Sequence, residues 1–130
     1  MKIAVLIIRS LLGLIYLVFG LNFFLHFMPA TGPAMSAKAT AFAGGLFGSG
    51  YFMQYMKVIE TLSGFFLLIN KFTAFFLLIL FPITLNIFLF HTILAPSGFP
   101  MGLGMLVFHL FLGFAYRRYY APLFTVNPVV

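Results

Sequence analysis

Residues 51–94 read YFMQYMKVIETLSGFFLLINKFTAFFLLILFPITLNIFLFHTIL. Two apolar runs, Tyr51 to Ile69 and Phe72 to Leu94, flank the polar step Asn70-Lys71. A helix that crosses a bilayer takes about 20 residues, so each run is long enough to cross and the step between them leaves room only for a tight reversal. Backbone groups in hydrocarbon must find their hydrogen bonds inside each segment, and neither run alternates with period 2, so both are predicted to be helices. Pro96, Gly98 and Pro100 close the second run, and a fourth apolar stretch from Met101 to Tyr116 follows, ending at Arg117 and Arg118. Upstream, Ile3 to Phe27 is interrupted only by Arg9, Ser10, Asn22 and His26 and stops at Pro29. The expected architecture is all-α: four transmembrane helices over about 3–27, 51–69, 72–94 and 101–116, joined up-down-up-down in one domain covering 1–130.

Composition agrees with this reading. The chain has 130 residues, 64% of them apolar and 6% charged, whereas soluble domains carry about 25% charged residues. Four spans use about 80 residues, which leaves connectors and excludes a separate soluble catalytic module. The net charge of +6 comes from bases scattered singly beside apolar runs, a topology signal rather than a nucleic-acid surface. Cysteine is absent, which excludes disulfides, CxxC redox pairs and thiolate metal sites, so any redox role needs a bound cofactor. No Walker loop, dinucleotide fingerprint, GxSxG or HExxH occurs. A secretory leader is the rival reading of Lys2 and the run behind it, but that run exceeds the about 7–15 residues of a leader's apolar core, so a retained span is expected.

With four spans, both termini and the Asn70-Lys71 turn share one side, which collects Lys2, Arg9, Lys71, Arg117 and Arg118; Lys38 stands alone on the other. The bias predicts cytoplasmic termini and an external first connector, residues 29–50, whose middle is suited to a short interfacial helix. Gly13, Gly20, Gly64, Ala74, Gly104 and Gly113 are expected to give the flat patches at which membrane helices approach one another. Arg9 is expected to snorkel to the cytoplasmic interface.

A charge at the centre of a membrane helix costs about 2.5–3.5 kcal/mol on insertion scales, so ionisable residues within the spans need a partner or a purpose. Glu60, the only acid in the chain, lies three residues after Lys57, where the two side chains can meet on one helical face. At a rise of 1.5 Å per residue, Glu60, Asn86 and His109 lie roughly 12–13 Å below the outer ends of their spans, with Lys57, Asn22 and His91 at roughly 5–9 Å and His26 near the surface. Seven polar side chains thus gather in the outer half while the inner half holds mainly Arg9. The expected site is a cavity bounded by Lys57, Glu60, Asn86 and His91, opening toward the outer leaflet with aromatic side chains on its lipid side. His109 reads as a hydrogen-bonded interior histidine. His26, His91 and His109 stand on separate spans without an HxxxH or ExxH pair, so no metal site is predicted.

The series Arg9, Gly13, Gly20, Asn22 and His26, then Gly50-Tyr51 leading to Lys57-Val58-Ile59-Glu60 and Gly64, then Pro82, Asn86, Phe88 and His91, then Pro96-Ser97-Gly98 and Tyr116-Arg117, resembles the DoxX-like family of small four-helix membrane proteins over nearly the whole chain. Such proteins are similar to small subunits of quinone-linked sulfur oxidation systems and to partners in membrane oxidoreductase complexes, although most members have no assigned activity. The resemblance implies a bacterial inner-membrane protein, a subunit or accessory of a quinone-linked oxidoreductase. Lys57, Glu60, Asn86 and His91 carry over as its ligand site, with Asn22 and His26 as additions; His109 has no place in the pattern. In such a site Lys57 or His91 hydrogen-bonds a quinone carbonyl and Glu60 exchanges protons with it. The alternative is a non-catalytic membrane module that binds a lipid, a small molecule or a partner helix, with the polar cluster as glue. The residues leave open whether the chain is an enzyme.

Overall fold

The computed structural model describes residues 1–29 and 34–130; the stretch of the first connector at 30–33 lies outside them. The described residues form helices and turns without a β-strand: α1 (Lys2–Leu25), α2 (Ala37–Gly48), α3 (Phe52–Leu68), α4 (Thr73–Leu89) and α5 (Phe99–Ala115). A π-helical turn at Phe90–Leu94 prolongs α4, and a 3-10 turn at Pro96–Gly98 leads directly into α5. Pro100 therefore does not lie in a loop. It sits in the first turn of α5, where a missing N–H costs nothing and the fixed φ suits a helix.

Three helical stretches, Lys2–Leu25, Thr73–Leu94 and Pro96–Ala115, are long and apolar enough to cross a membrane, and the chain is a membrane protein on that ground. α3 is not among them. Its 17 residues rise roughly 26 Å, short of a hydrocarbon core of about 30 Å, and it carries both Lys57 and Glu60.

α1 runs antiparallel to α3, α3 to α4, and α4 to α5, and α5 closes the ring against α1. Each long helix turns one narrow stripe inward. In α1 the stripe is Arg9, Leu12, Gly13, Tyr16 and Gly20; in α3, Met53, Glu60, Ser63, Gly64 and Leu67. In α4 it is Thr73, Leu77, Leu80 and Thr84, and in α5, Gly102, Met105, His109 and Leu112. These are the i, i+3, i+4, i+7 positions of a helix that buries a single face. The chemistry of the two faces is inverted relative to a soluble protein: Arg9, Glu60, Thr84 and His109 are buried, while Leu6, Ile7, Leu14, Phe65, Phe75, Val107 and Leu110 are exposed. Water would not tolerate so much contiguous apolar surface, and lipid does.

Small residues set the α1–α3 contact. A Cβ at Gly13 would lie 2.9 Å from the Gly64 carbonyl oxygen, and one at Gly64 would lie 2.6 Å from that of Gly13; Gly20 packs on Thr61 in the same way. A Cβ at Gly104 or Gly113, by contrast, would meet nothing within 4 Å among the described residues, and the close approach of α4 to α5 falls on Gly98 and Gly102, both against His91. At the Asn70-Lys71 turn the chain reverses through left-handed residues Asn70 and Phe72, each at φ 54°. The Thr73 hydroxyl donates to Asn70 Oδ1 at 2.7 Å, which ties the start of α4 to the turn.

Arg9 does not snorkel. It is 6% exposed, and its guanidinium donates to the carbonyls of Leu67 and Leu68, the latter at 3.3 Å. The helix ends there and the Leu67 carbonyl accepts only a 3.3 Å bond from the Asn70 N–H of the following turn, so a cation adds a stronger partner and complements the helix dipole.

Candidate functional site

Lys57 and Glu60 meet as the sequence spacing requires. Nζ donates to Glu60 Oε2 at 2.9 Å, with Glu60 3% and Lys57 19% exposed. A lone carboxylate at that depth would be costly, and its counter-ion one turn away on the same face offsets the cost without needing a second helix. Both side chains line a cavity of about 180 Å³ together with His91, Tyr16, Phe19 and Met101. Phe19 and Met101 are exposed and form its lipid-side rim. His91 sits in the π-helical turn, where its Nδ1–H donates to the Ile87 carbonyl at 2.8 Å. That bond fixes the tautomer and leaves Nε2 as an acceptor. Gly98 and Gly102 make room for the ring, since a side chain at Gly98 would overlap it.

Asn86 does not join them. It is exposed and lines a separate hollow with Phe42, Phe90 and Ile93. Five residues on a helix turn about 140°, so Asn86 and His91 project from different faces of α4. Asn22 and His26 are also elsewhere: they end α1. His26 takes the left-handed cap conformation at φ 53° and its N–H donates to the Asn22 carbonyl, while the Asn22 side-chain oxygen accepts from the Met28 N–H at 2.8 Å. Their spacing of one turn reflects a helix stop rather than a ligand pair.

Two residues that sequence reasoning passed over, Tyr16 and Thr84, complete the site. The Tyr16 hydroxyl and Thr84 Oγ1 are hydrogen-bonded across the bundle, Thr84 Oγ1 lies 2.8 Å from His109 Nδ1, and His109 Nε2 lies 2.8 Å from the Leu77 carbonyl. A carbonyl only accepts, so Nε2 carries the proton; with the ring neutral, Nδ1 accepts from Thr84, and Thr84 accepts from Tyr16. The chain of bonds thus runs from the wall of the cavity through α4 to α5, and all of its side chains are buried. The available signal was position on the inward stripes: Tyr16 is seven residues after Arg9, and Thr84 seven after Leu77. His109 fits its reading as an interior hydrogen-bonded histidine. His26, His91 and His109 occupy three different environments.

No family model, curated protein sequence or solved structure matches this chain.

Proposed function

We propose that the chain is a four-span protein of the DoxX-like type in a bacterial inner membrane, with both termini cytoplasmic, and that it serves as a subunit or accessory of a quinone-linked oxidoreductase. One observation carries this reading: Lys57, Glu60 and His91, from two helices, share a small apolar-walled cavity at which Tyr16 begins a buried hydrogen-bond chain. Its volume of about 180 Å³ is below the about 300–1,000 Å³ of sites that enclose drug-sized ligands. A single ring fits that size, with any isoprenoid tail left in the lipid beyond Phe19 and Met101. A bound quinone takes up electrons and protons at its carbonyl oxygens. The Lys57 ammonium has two N–H donors beyond the one given to Glu60, enough to orient such a carbonyl. Glu60 is the one carboxyl group in reach for proton exchange. α3 is brought to membrane thickness by Tyr51 and Ile69 at its ends and by slight thinning of the bilayer around a short helix.

A second reading has its own support. Glu60 is neutralised by Lys57 and the His91 Nδ1–H is satisfied by Ile87, which a non-catalytic module using polar groups as interhelical glue also requires.

Binding of a short-tailed benzoquinone to the purified chain in neutral detergent separates the two readings. His91→Gln is expected to weaken binding of the reduced quinol, whose hydroxyl the His91 Nε2 lone pair can accept, about tenfold or more with little change in melting temperature, and Asn86→Leu to leave binding of both forms unchanged. Absence of quinone binding by the unaltered chain would sink the quinone reading in favour of glue. Topology is tested independently with a single cysteine at Thr40, which should react with an impermeant reagent only from outside.

A further inference from the structure

The end of the bundle opposite the Lys57 cavity holds a broad depression of about 590 Å³, walled by Lys2, Arg9, Arg117 and Arg118 with Asn70 and Tyr116 beside them. It contains four cations and no carboxylate side chain, because the only acid in the sequence is Glu60, already paired with Lys57. The cations are held in place. The Arg117 guanidinium lies 4.2 Å over the Phe114 ring and donates to the Phe114 carbonyl at 2.9 Å. Arg118 lies 4.7 Å over the Tyr119 ring and donates to its hydroxyl. Stacking orders these side chains in advance and leaves several of their N–H groups free. Arg9, 6% exposed, spends Nη1 on the end of α3, yet its buried Nε has no partner among the described residues. Arg9 therefore places its positive charge beneath the depression, while Arg117 and Arg118 supply the exposed N–H donors.

Phe114 and Arg117 also line a second depression, about 430 Å³ and almost wholly apolar, with Leu78, Phe81 and Leu110. A phosphate group lying against the arginines therefore has an apolar bed beside it, and the helix surfaces around that bed are exposed leucine and phenylalanine. Cation-rich pockets at helix ends are suited to anionic lipid headgroups. We infer that the depression formed by Lys2, Arg9, Arg117 and Arg118 is a headgroup site for an anionic phospholipid, its phosphodiester held by the arginines and an acyl chain laid along the groove between α4 and α5. The inference rests on the placement of this end at the membrane surface and not on the identity of any ligand at the Lys57 cavity.

Native mass spectrometry of the full chain in neutral detergent tests it, with phosphatidylglycerol and phosphatidylcholine of matched chains as probes. Phosphatidylglycerol should be retained about tenfold or more over phosphatidylcholine. Arg117→Gln and Arg118→Gln, which disturb no buried bond, should each weaken phosphatidylglycerol about fivefold, while Lys38→Gln at the other end should have no effect. On the unaltered chain, rising salt should release phosphatidylglycerol and spare phosphatidylcholine, a check that needs no variant to fold. Equal retention of the two lipids, or an equal loss in Lys38→Gln, would overturn the site. Displacement of the lipid by millimolar inorganic phosphate would overturn the lipid assignment and make this a soluble-anion site. Cysteine labelling at Thr40 reports on topology separately, so a failed orientation and a failed headgroup site give different results.

Discussion

At the Lys57 end of the molecule a cation has its counter-ion one helical turn away, 2.9 Å distant, and the His91 ring beside it is tied to the Ile87 carbonyl. At the Arg117 end, Lys2, Arg117 and Arg118 face a common depression with no acid among them, above a buried Arg9 that is held by carbonyls at the end of α3. The difference follows depth. Inside hydrocarbon an unpaired charge costs several kcal/mol (of order 3), so charge retained there has been neutralised within the chain. At a membrane surface water and salt supply the counter-charge, and a net positive end is tolerated. Between the two ends, Tyr16, Thr84 and His109 solve the same problem without charge, by passing one hydrogen bond on to the next.

The sharpest way to break this comparison is to uncouple the ion pair. Lys57→Met or Glu60→Gln alone is expected to lower stability in detergent by about 3 kcal/mol, at the low end of what losing one partner of a buried pair costs, because Lys57 is 19% exposed. The double change should cost much less than the sum. Additive losses in a double-mutant cycle would show that the two ends do not differ in kind.

A smaller effect is expected at the neutral chain of bonds. Tyr16→Phe removes the donor to Thr84 while conserving the ring, at a cost of about 1–3 kcal/mol for a buried hydrogen bond, read as a fall in melting temperature. An unchanged melting temperature would mean that the three side chains are not joined as described.

The smallest effect is expected at Asn86. Exposed and remote from the cavity, it should tolerate Asn86→Ala within about 0.5 kcal/mol. A loss above about 1 kcal/mol would return Asn86 to the buried cluster and enlarge the polar end.

Much of the candidate site was legible where a single helix determines it. Lys57 and Glu60 meet because three residues bring side chains onto one face whatever the rest of the fold does. Asn22 and His26 share a face by the same rule, but the rule does not say whether the face points to a ligand or ends the helix. Depth along a span placed Asn86 level with Glu60, yet depth carries no information on azimuth, and Asn86 points away. The network of Tyr16, Thr84 and His109 joins residues 16, 84 and 109 from three helices, and no local spacing links them.

By itself the sequence determined the solvent and the helices: 64% apolar residues gathered in long runs with few polar interruptions admit lipid and little else, since burying them in water would need a core larger than this chain can close. It determined where the runs end, from Pro29, Asn70-Lys71 and the Pro96 to Pro100 segment, although the structure moves the start of the last helix back to Phe99 and ends α3 after 17 residues. Only the tertiary structure decided which face of each helix turns inward. The helices are apolar nearly all round, so hydrophobicity cannot select a face in lipid; close packing at Gly13, Gly64, Gly98 and Gly102 and the pairing of buried polar groups select it instead. That choice put His91 beside Lys57 and Glu60, sent Asn86 to the outside, and turned Arg9 from a surface cation into the cap of α3.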